Sequence, residues 1–329
     1  MATADQVKAL VRSHGEGDDV RFYSVALQVA AKAARSGQNR FAQELRDLVD
    51  SLQEQESART PARLAHLTPV AQPRGELSSL LTVTYPGERM ADLALEEQVQ
   101  KRLERVLVEQ RQRERLQAHG FQPLRRLLLT GDPGTGKTMT ASVLASELRL
   151  PLFSIRLDGL ITKFMGETAA KLRLIFEALS ETRGLYFFDE VDALAGERSA
   201  NNDVGEVRRV LNSFLQFLEQ DESESLIVAA TNHPQLLDRA IFRRFDALIS
   251  YPLPSAEVSR CVIRNRLANF ELAGIDWPAI DDSAAGLSHG EITAAAETSG
   301  KKVVLSGELL VTTQDLVASL EERRALHSR

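Results

Sequence analysis

The clearest chemical signal in the chain is a glycine-rich segment that runs from Gly131 to Thr138. Its sequence, Gly-Asp-Pro-Gly-Thr-Gly-Lys-Thr, matches the pattern GxxxxGK(S/T) and lies between a predicted strand and a predicted helix. Glycines in this arrangement let backbone N–H groups surround phosphate oxygens at a helix N-terminus. Lys137 is expected to reach the β- and γ-phosphates, and the Thr138 hydroxyl is expected to bind Mg²⁺. The segment therefore predicts a P-loop for ATP and Mg²⁺, and its nucleotide-binding residues are Gly131, Asp132, Pro133, Gly134, Thr135, Gly136, Lys137, Thr138 and Met139.

Two acidic residues follow an apolar segment, Leu185 to Phe188, about fifty residues after the P-loop. A strand that is buried on both faces leaves only its C-terminal end for carboxylates. In a parallel sheet this end lies where ligands bind. Asp189 is therefore expected to hold Mg²⁺ together with Thr138. Glu190 is expected to polarise the attacking water as a general base.

Alternating strand and helix patterns surround these residues. Helical periodicity fills the segments between five apolar runs. These runs predict strands at 126–130, 152–157, 185–189, 226–231 and 247–251. Strands that alternate with helices indicate βαβ units and a parallel sheet covered by helices on both faces. The prediction is an α/β fold with a P-loop NTPase sheet, preceded by a long amphipathic helix over 92–118 and followed by a helical lid.

The chain divides into four regions by composition. Apolar residues at helical spacing predict a small helical N-terminal module over 1–56. Residues 57–90 contain four prolines and little periodicity, which is the composition of a linker. The nucleotide-binding α/β subdomain is predicted over 91–253, and the helical lid over 254–329.

The 329 residues include 40 Lys and Arg against 46 Asp and Glu, a formal net charge of −6. This balance gives no overall positive field for nucleic acid or an anionic membrane, so nucleic acid is the less favoured partner. The single cysteine, Cys261, excludes an internal disulfide, and we expect it to be buried as a small apolar side chain. Signal-peptide and membrane-spanning patterns are absent from the sequence. We therefore expect a cytoplasmic protein with no membrane partner.

Four motifs in chain order carry a resemblance to a known family. They are the P-loop, Asp189-Glu-Val-Asp-Ala-Leu194, Ala229-Ala-Thr-Asn-His-Pro234 and Leu237-Asp-Arg-Ala-Ile-Phe-Arg-Arg-Phe-Asp246. Together they make the run 124–246 resemble the AAA+ ATPase module, and more narrowly the AAA clade of unfoldases and complex-disassembling ATPases. The resemblance implies ATP hydrolysis by a homo-oligomeric ring, for which a hexamer is the expected form.

The resemblance also assigns catalytic roles outside the P-loop. Asn232 occupies the position of sensor 1, a polar side chain that helps to orient the attacking water. Arg243 and Arg244 fall where the family has arginine fingers, which reach the nucleotide of the neighbouring subunit. A guanidinium there can stabilise the charge that develops on the γ-phosphoryl group. With Glu190, these three residues form the predicted catalytic set.

The segment Ser288-His-Gly-Glu-Ile292 resembles the small-residue segment with which lids of the AAA clade meet adenine. Gly290 is therefore a predicted nucleotide contact. His289 stands where the family more often has glycine, a difference that bears on base selectivity.

The segment Lys163-Phe-Met-Gly-Glu-Thr168 resembles the first pore loop of the clade. In a ring, Phe164 and Met165 of each subunit would face the central channel. There they would grip an extended polypeptide by side-chain packing. The polar segment from Gly196 to Gly205 lies where a second pore loop would be.

Three functions are compatible with these motifs. The leading hypothesis is Mg²⁺-dependent ATP hydrolysis that drives remodelling, unfolding or threading of a protein client by a hexameric ring. A client or adaptor would bind through residues 1–56, and a partner protease is an option at the level of the family. The alternative is an AAA+ ATPase that acts on nucleic acid, of the loader or transposition-helper type, whose central loops would be expected to be basic. A non-catalytic, nucleotide-switched scaffold is disfavoured because Lys137, Asp189 and Glu190 are intact.

Overall fold

The computed structural model describes residues 73, 75–160, 165–195, 204–307 and 310–327. Four predicted features lie wholly or partly outside these residues: the N-terminal module 1–56, residues 57–72 and 74 of the linker, Lys163 and Phe164 of the first predicted pore loop, and residues 196–203 of the second. Met165 begins a helix, but the structure does not describe its side chain.

Six strands form one sheet. They are β1 (Leu81–Thr84), β2 (Arg126–Gly131), β3 (Leu152–Ile155), β4 (Leu185–Phe188), β5 (Leu226–Thr231) and β6 (Ala247–Tyr251). Their order across the sheet is β1-β3-β4-β5-β2-β6. The five predicted strands, β2 to β6, run parallel to one another, and β1 lies antiparallel to β3 at one edge. The predicted α/β fold with a parallel sheet is therefore confirmed.

The edge strand β1 differs from the sequence prediction, which assigns its residues to the linker 57–90. A short helix, α1 (Leu77–Leu80), leads into β1, and Leu81 pairs with Ile155 of β3. Leu80 and Leu81 are both buried in the core. Four residues are too few to show a periodic pattern, so pairing with β3 decides the conformation of this segment rather than any local preference.

The remaining helices surround the sheet or form the lid. They are α2 (Glu97–Arg111), α3 (Arg113–Ala118), α4 (Lys137–Leu148), α5 (Leu157–Leu160), α6 (Met165–Glu181), α7 (Val204–Gln220), α8 (Arg239–Phe242), α9 (Ala256–Arg266), α10 (Trp277–Ala284), α11 (His289–Ser306) and α12 (Thr313–His327). Within the described ranges, no helix has the length and apolar composition needed to cross a bilayer.

The single helix predicted over 92–118 is wrong, because α2 and α3 are separated at Gln112, where the backbone turns to φ −105° and ψ 21°. The end of α2 is anchored to the segment before β2. Glu109 accepts a hydrogen bond from the Leu124 N–H (3.0 Å), and the Gln110 amide donates to the Leu124 carbonyl (2.8 Å). These long-range contacts fix the end of α2 independently of its helical periodicity.

Alternate residues of β4 belong to two separate cores. Tyr186 and Phe188 face the cluster formed with α6 and α7, whereas Leu185 and Phe187 face the cluster formed with α2 and α4. All four side chains are buried. A parallel sheet covered on both faces has this pattern, and it leaves polar side chains only at the strand ends.

The lid, α9 to α12, has a core of its own. Its buried side chains include Ile263, Ile280, Ile292 and Leu316, and Ala94 from the segment before α2 packs against them. Cys261 lies on α9 but is exposed, so the prediction that it is buried is wrong. The buried residues of α9 occupy the other side of this helix.

Candidate active site

The candidate site lies at the C-terminal ends of β2, β4 and β5, which are neighbours in the sheet. The register pairs Thr130 with Thr231 and Phe188 with Ala229, so these three strands end at nearly the same level. β2 leads into the P-loop, β4 is followed by Asp189 and Glu190, and β5 is followed by Asn232. The structure thus brings together the residues that the sequence predicts for phosphate, metal and water.

The P-loop adopts a backbone that requires glycine. Gly131, Gly134 and Gly136 have φ values of +148°, +75° and +99°. A Cβ on Gly131 would lie 2.4 Å from the Tyr251 carbonyl oxygen, and one on Gly134 would lie 2.7 Å from the Ser288 Oγ. Left-handed conformations cost little for glycine and much for other residues. The loop can therefore curve tightly between β2 and α4 and leave its N–H groups open to an anion.

Lys137 is buried within the loop at the first position of α4. Its ammonium group donates to the carbonyl oxygens of Gly131 (2.7 Å) and Asp132 (2.8 Å). Burial lowers the pKa of Lys137, while the charges of Asp189 and two other aspartates oppose this shift. Within the described part of the chain, its hydrogen-bond acceptors are neutral oxygens, so no direct ion pair neutralises the ammonium. Such a cation suits an incoming phosphate.

The two predicted metal ligands are in contact. The Thr138 hydroxyl donates to Asp189 Oδ2 at 3.0 Å. The described residues contain no cluster of three or more His, Cys, Asp or Glu side chains that could hold a metal alone. Mg²⁺ is commonly bound by one or two carboxylates together with substrate phosphates and water. One hydroxyl and one carboxylate beside the P-loop therefore fit Mg²⁺ that arrives with a nucleotide.

Glu190 is exposed at the turn that follows β4. Its φ of +53° is unusual for a residue other than glycine, and such a backbone costs on the order of 1–3 kcal/mol. The Glu190 N–H donates to Asp189 Oδ1 at 3.0 Å, which helps to hold this turn. The turn separates the two acids, so that Asp189 faces Thr138 while Glu190 stays accessible to water.

Asp192 contributes to the site, although the sequence analysis gives it no role. Its Oδ1 accepts from the Thr231 hydroxyl at 2.7 Å and from the Asn232 N–H at 3.3 Å. These bonds tie the end of β5 to the turn after β4, and they hold Asn232 at a fixed distance from the acidic pair. The signal was present in the sequence, because Asp192 is the fourth residue of the motif that begins at Asp189.

The two predicted arginine fingers have different surroundings. Arg244 is held within its own chain, where its guanidinium pairs with Glu219 at 2.9 Å and donates to the Ala240 carbonyl at 2.8 Å. Arg243 is exposed, and its guanidinium has no hydrogen-bond or ion-pair partner in the ranges that the structure covers, although its backbone N–H donates to the Ile241 carbonyl. Only Arg243 is therefore available to a ligand or a partner without first losing a contact.

Both arginines lie away from the P-loop of their own chain. They precede β6, whose C-terminal residue Tyr251 pairs with Gly131 of the P-loop. Glu219, which binds Arg244, is near the end of α7 and so precedes β5. A strand rises about 3.3 Å per residue, so the length of β6 alone separates the two ends by on the order of 15 Å. The structure does not bring these two predicted catalytic residues together with the P-loop.

The lid contacts the P-loop directly. The Gly290 N–H donates to the Gly134 carbonyl at 2.8 Å. The ring of His289 lies next to Ala94 and Glu96. Both its nitrogens are buried and make no hydrogen bond of ordinary length and angle among the residues described, and the Ala94 backbone is the polar group that interacts with them most directly. Burial lowers the pKa of His289, and the nearby Ala94 backbone and Glu96 carboxylate oppose this shift. A buried polar group without a partner is a candidate ligand contact.

Comparison with known proteins agrees with this geometry. The sequence profile of the AAA family, described as ATPase family associated with various cellular activities, matches residues 127–253. The whole chain is 31% identical to an uncharacterized AAA family ATPase, y4kL, of Sinorhizobium fredii, and it covers 98% of that protein. It is 32% identical, over 69% of its length, to a proteasome-activating nucleotidase of Methanothermobacter thermautotrophicus, and it spans 58% of that relative.

Two further similarities concern parts of larger proteins or the fold alone. The chain is 29% identical, over 71% of its length, to the ATP-dependent zinc metalloprotease FtsH of Lancefieldella parvula, and it spans 38% of that protein. Its structure is similar to the AAA domain of FIGL-1, with a TM-score of 0.62 at 22% identity. This similarity covers 80% of the chain and 96% of that domain.

A parallel sheet that presents a P-loop, two acids and an asparagine on neighbouring strand ends defines a P-loop ATPase. The chain belongs to the AAA family of ATPases. It is therefore an ATP-hydrolysing enzyme, and its relatives place it in the AAA clade, as the motifs predict.

Proposed function

We propose that this ATPase uses Mg²⁺-dependent ATP hydrolysis to remodel, unfold or thread protein clients as a homo-oligomeric ring, most simply a hexamer. The observation that carries the proposal is the separation of Arg243 from the P-loop of its own chain. An exposed arginine at the opposite end of β6 can complete a nucleotide site only in a neighbouring subunit. The active unit is then an interface between two copies of the chain.

Within one subunit, the proposal divides the chemistry among four side chains. Bound ATP and Mg²⁺ would supply the γ-phosphoryl group and a Lewis acid. Lys137 neutralises phosphate charge, and Thr138 with Asp189 holds the metal. Glu190, exposed at its turn, accepts the proton of the attacking water as the general base. Asn232, held by Asp192 through the backbone, orients this water.

Arg243 would act in trans on the same reaction. Negative charge grows on the γ-phosphoryl group as its bond to the leaving group breaks. A guanidinium placed there lowers the energy of the transition state more than that of the bound substrate. Because Arg244 is already paired with Glu219, we assign it to holding the segment that presents Arg243.

The nucleobase would lie on the lid side of the P-loop, near Gly290 and His289. The support is the direct contact between Gly290 and Gly134, together with the buried imidazole nitrogens of His289, which make no hydrogen bond of ordinary length and angle within the described residues. A base in this position gives His289 a hydrogen-bond partner, and it would link base identity to the position of the lid.

A polypeptide client is supported by sequence and by relatives. Phe164 and Met165 match the aromatic and apolar pair of a pore loop, and two relatives are named for a proteasome and for a protease. We propose that residues 1–56 bind a client or adaptor and that a protease is a candidate partner. The net charge of −6 does not favour nucleic acid.

The interface is tested by mixing two inactive variants. Arg243→Ala lacks the finger, and Glu190→Gln lacks the base, so neither alone should hydrolyse ATP well. In a mixed ring, a site with an intact Glu190 can meet a neighbour with an intact Arg243, and part of the activity should return. The double variant Arg243→Ala/Glu190→Gln is the control that forms no complete site. No recovery, together with a monomeric mass in ATP, would refute the ring.

The client class needs its own measurement. Unfolded casein should stimulate the ATPase of the wild-type protein, and Phe164→Ala should keep basal hydrolysis but lose this stimulation. Stimulation by single-stranded DNA that falls steeply with salt would instead favour the nucleic-acid alternative.

A further inference from the structure

The end of β6 carries a buried tyrosine whose hydroxyl points at the helix that follows the P-loop. Tyr251 is 3% exposed, and its hydroxyl donates to Thr140 Oγ1 at 2.8 Å. Thr140 is fully buried, and its hydroxyl donates in turn to the Gly136 carbonyl at 3.0 Å. Two consecutive hydrogen bonds thus run from the edge strand to the last glycine of the P-loop.

Tyr251 also contacts the beginning of the same loop. The β2–β6 register pairs it with Gly131, and a Cβ on that glycine would lie 2.9 Å from the Tyr251 Cβ. The backbone of Tyr251 therefore packs against the residue where the P-loop begins, and its hydroxyl acts through Thr140 on the residue where the loop ends.

The acceptor of this relay belongs to a peptide that matters for phosphate binding. The Gly136 carbonyl and the Lys137 N–H are in one peptide group, which is planar and trans. Holding the carbonyl toward Thr140 directs the N–H the opposite way, into the concave side of the loop. Gly136 has a φ of +99° and open space where a Cβ would lie, so no side chain of its own restrains this peptide. Its carbonyl accepts two hydrogen bonds from Thr140, one from the helical N–H at 2.9 Å and one from the hydroxyl, and the second is the one that Tyr251 controls.

The Tyr251 hydroxyl in turn restrains Thr140. A threonine in a helix divides between two rotamers, because its hydroxyl can bond to a carbonyl one turn earlier in either. An external donor with a fixed position favours the rotamer that it can reach. Burial raises the pKa of Tyr251, so the phenol stays protonated and acts as the donor.

We propose that Tyr251 and Thr140 are positioning residues for nucleotide binding, because they hold the Gly136–Lys137 peptide in the orientation that presents its N–H to phosphate. This role rests on the phosphate function proposed for the P-loop. Neither residue touches the nucleotide in this scheme. Both act through the backbone of the loop.

The test compares Tyr251→Phe, Thr140→Val and the double variant in the full chain. Isothermal titration with ATP and Mg²⁺ gives the affinity, and thermal unfolding without nucleotide gives the stability. Loss of one ordinary hydrogen bond should weaken ATP binding about fivefold in Tyr251→Phe. Thr140→Val removes the hydroxyl bond to the Gly136 carbonyl and leaves the main-chain bond, and the affinity should fall about tenfold.

The double variant separates positioning from general stability. Thr140→Val alone leaves the buried Tyr251 hydroxyl without an acceptor, so its melting temperature should fall. Removing both the Tyr251 and the Thr140 hydroxyl leaves neither buried hydroxyl without a hydrogen-bond partner, and the melting temperature should recover. The affinity for ATP should stay about tenfold weaker, because the Gly136 carbonyl still lacks the hydroxyl bond and keeps only the bond from the N–H of residue 140. A double variant that binds ATP as the wild type does would overturn the positioning role.

Tyr186 provides the matched control. It is also a buried tyrosine, but its hydroxyl donates to the Ala178 and Thr182 carbonyls at 2.9 and 3.0 Å, away from the P-loop. Tyr186→Phe should lower stability and leave ATP affinity unchanged, and an equal loss of affinity would overturn the proposal. A wild-type protein that fails to bind ATP would refute the phosphate site itself. If the wild type binds ATP and the Tyr251 and Thr140 variants bind it with the same affinity, only the positioning role of these two residues is refuted.

Discussion

The strands of the sheet use charged side chains in opposite ways at their two ends. We call these ends the C-terminal edge and the N-terminal edge of the sheet, as distinct from its outer strands β1 and β6. At the C-terminal edge, Lys137 donates to backbone carbonyls, and Asp189 accepts from a hydroxyl and an N–H. At the N-terminal edge, arginines pair with carboxylates. These pairs are Arg113–Glu224, Arg125–Asp221, Arg126–Asp246 and Arg244–Glu219. One edge keeps its charges for a ligand, and the other neutralises them within the chain.

The pairs at the N-terminal edge hold the beginnings of strands. Arg125 binds the nearly fully buried Asp221 and donates to the Ser223 carbonyl at 3.0 Å, so β2 is tied to the segment before β5. Asp246 accepts from the N–H groups of Arg125 and Arg126, at 3.0 and 2.9 Å, which ties β2 to β6. These contacts align the strands whose opposite ends form the candidate nucleotide site. Arg243, near this edge, is the exception, because its guanidinium lacks a partner within the described residues.

The largest expected effect on ATP turnover comes from the removal of the Arg243 guanidinium. Arg243→Ala should lower the turnover of ATP on the order of 10³-fold, as for arginine fingers measured in GTPases, with unchanged ATP affinity. Arg244→Ala should lower the melting temperature instead, because it loses the contacts with Glu219 and Ala240. Steady-state ATPase assays and thermal unfolding distinguish the two. If Arg244→Ala loses more turnover than Arg243→Ala, then Arg244 is the finger and Arg243 is not.

At the C-terminal edge, Glu190→Gln should lower turnover about 10²- to 10⁴-fold, which is the range for general acid–base groups. The variant should still bind ATP, because Glu190 acts on the water rather than on the phosphates. Lys137→Ala should lose binding, since its ammonium contacts phosphate in the ground state as well as in the transition state. Titration with ATP measures the difference, and equal affinity of wild type and Lys137→Ala would contradict the assignment.

Breaking a pair at the N-terminal edge should affect stability and leave binding intact. Asp221→Asn leaves the mostly buried Arg125 without its counter-charge, a change that costs about 3–5 kcal/mol in comparable cases. Glu224→Gln is the control, since this more exposed pair with Arg113 should contribute about 1 kcal/mol or less. Denaturant unfolding gives both values. Folded Asp221→Asn should bind ATP with wild-type affinity, and a lost affinity would mean that the two edges are not independent.

The smallest effect concerns pH and His289. Because burial lowers its pKa below the ordinary value of 6.5, the unfolded state binds a proton before the folded state does. The neutral imidazole therefore stabilises the folded protein above about pH 6.5, and this contribution is lost as the pH falls further. His289→Gln should show a smaller drop in melting temperature than the wild type between pH 7 and pH 5.5. Parallel curves for the two proteins would show that His289 does not titrate in this way.

Several properties could be predicted from short stretches of sequence because their chemistry is local. A P-loop needs glycines, a lysine and a threonine at fixed spacing, and an apolar run that ends in two acids indicates a buried strand with a functional tip. These motifs, in chain order, were enough to predict the α/β fold, the AAA family and ATP hydrolysis. The parallel sheet then dictates that strand ends such as Asp189 and Asn232 meet at one edge.

Other properties depend on which distant segments come into contact. The edge strand β1 forms by pairing with β3, and Cys261 is exposed because the lid core uses the other side of α9. The different surroundings of Arg243 and Arg244 follow from the position of Glu219 on α7.

The functional contacts that the sequence analysis missed have the same origin. Asp192 holds Asn232 only because β4 and β5 are neighbours in the sheet. Tyr251 reaches Thr140, 111 positions earlier in the chain, only because β6 lies beside β2. A motif specifies the residues that carry the chemistry, because their types and spacing suffice for it. The residues that hold those groups in position are specified by packing, which the tertiary structure alone decides.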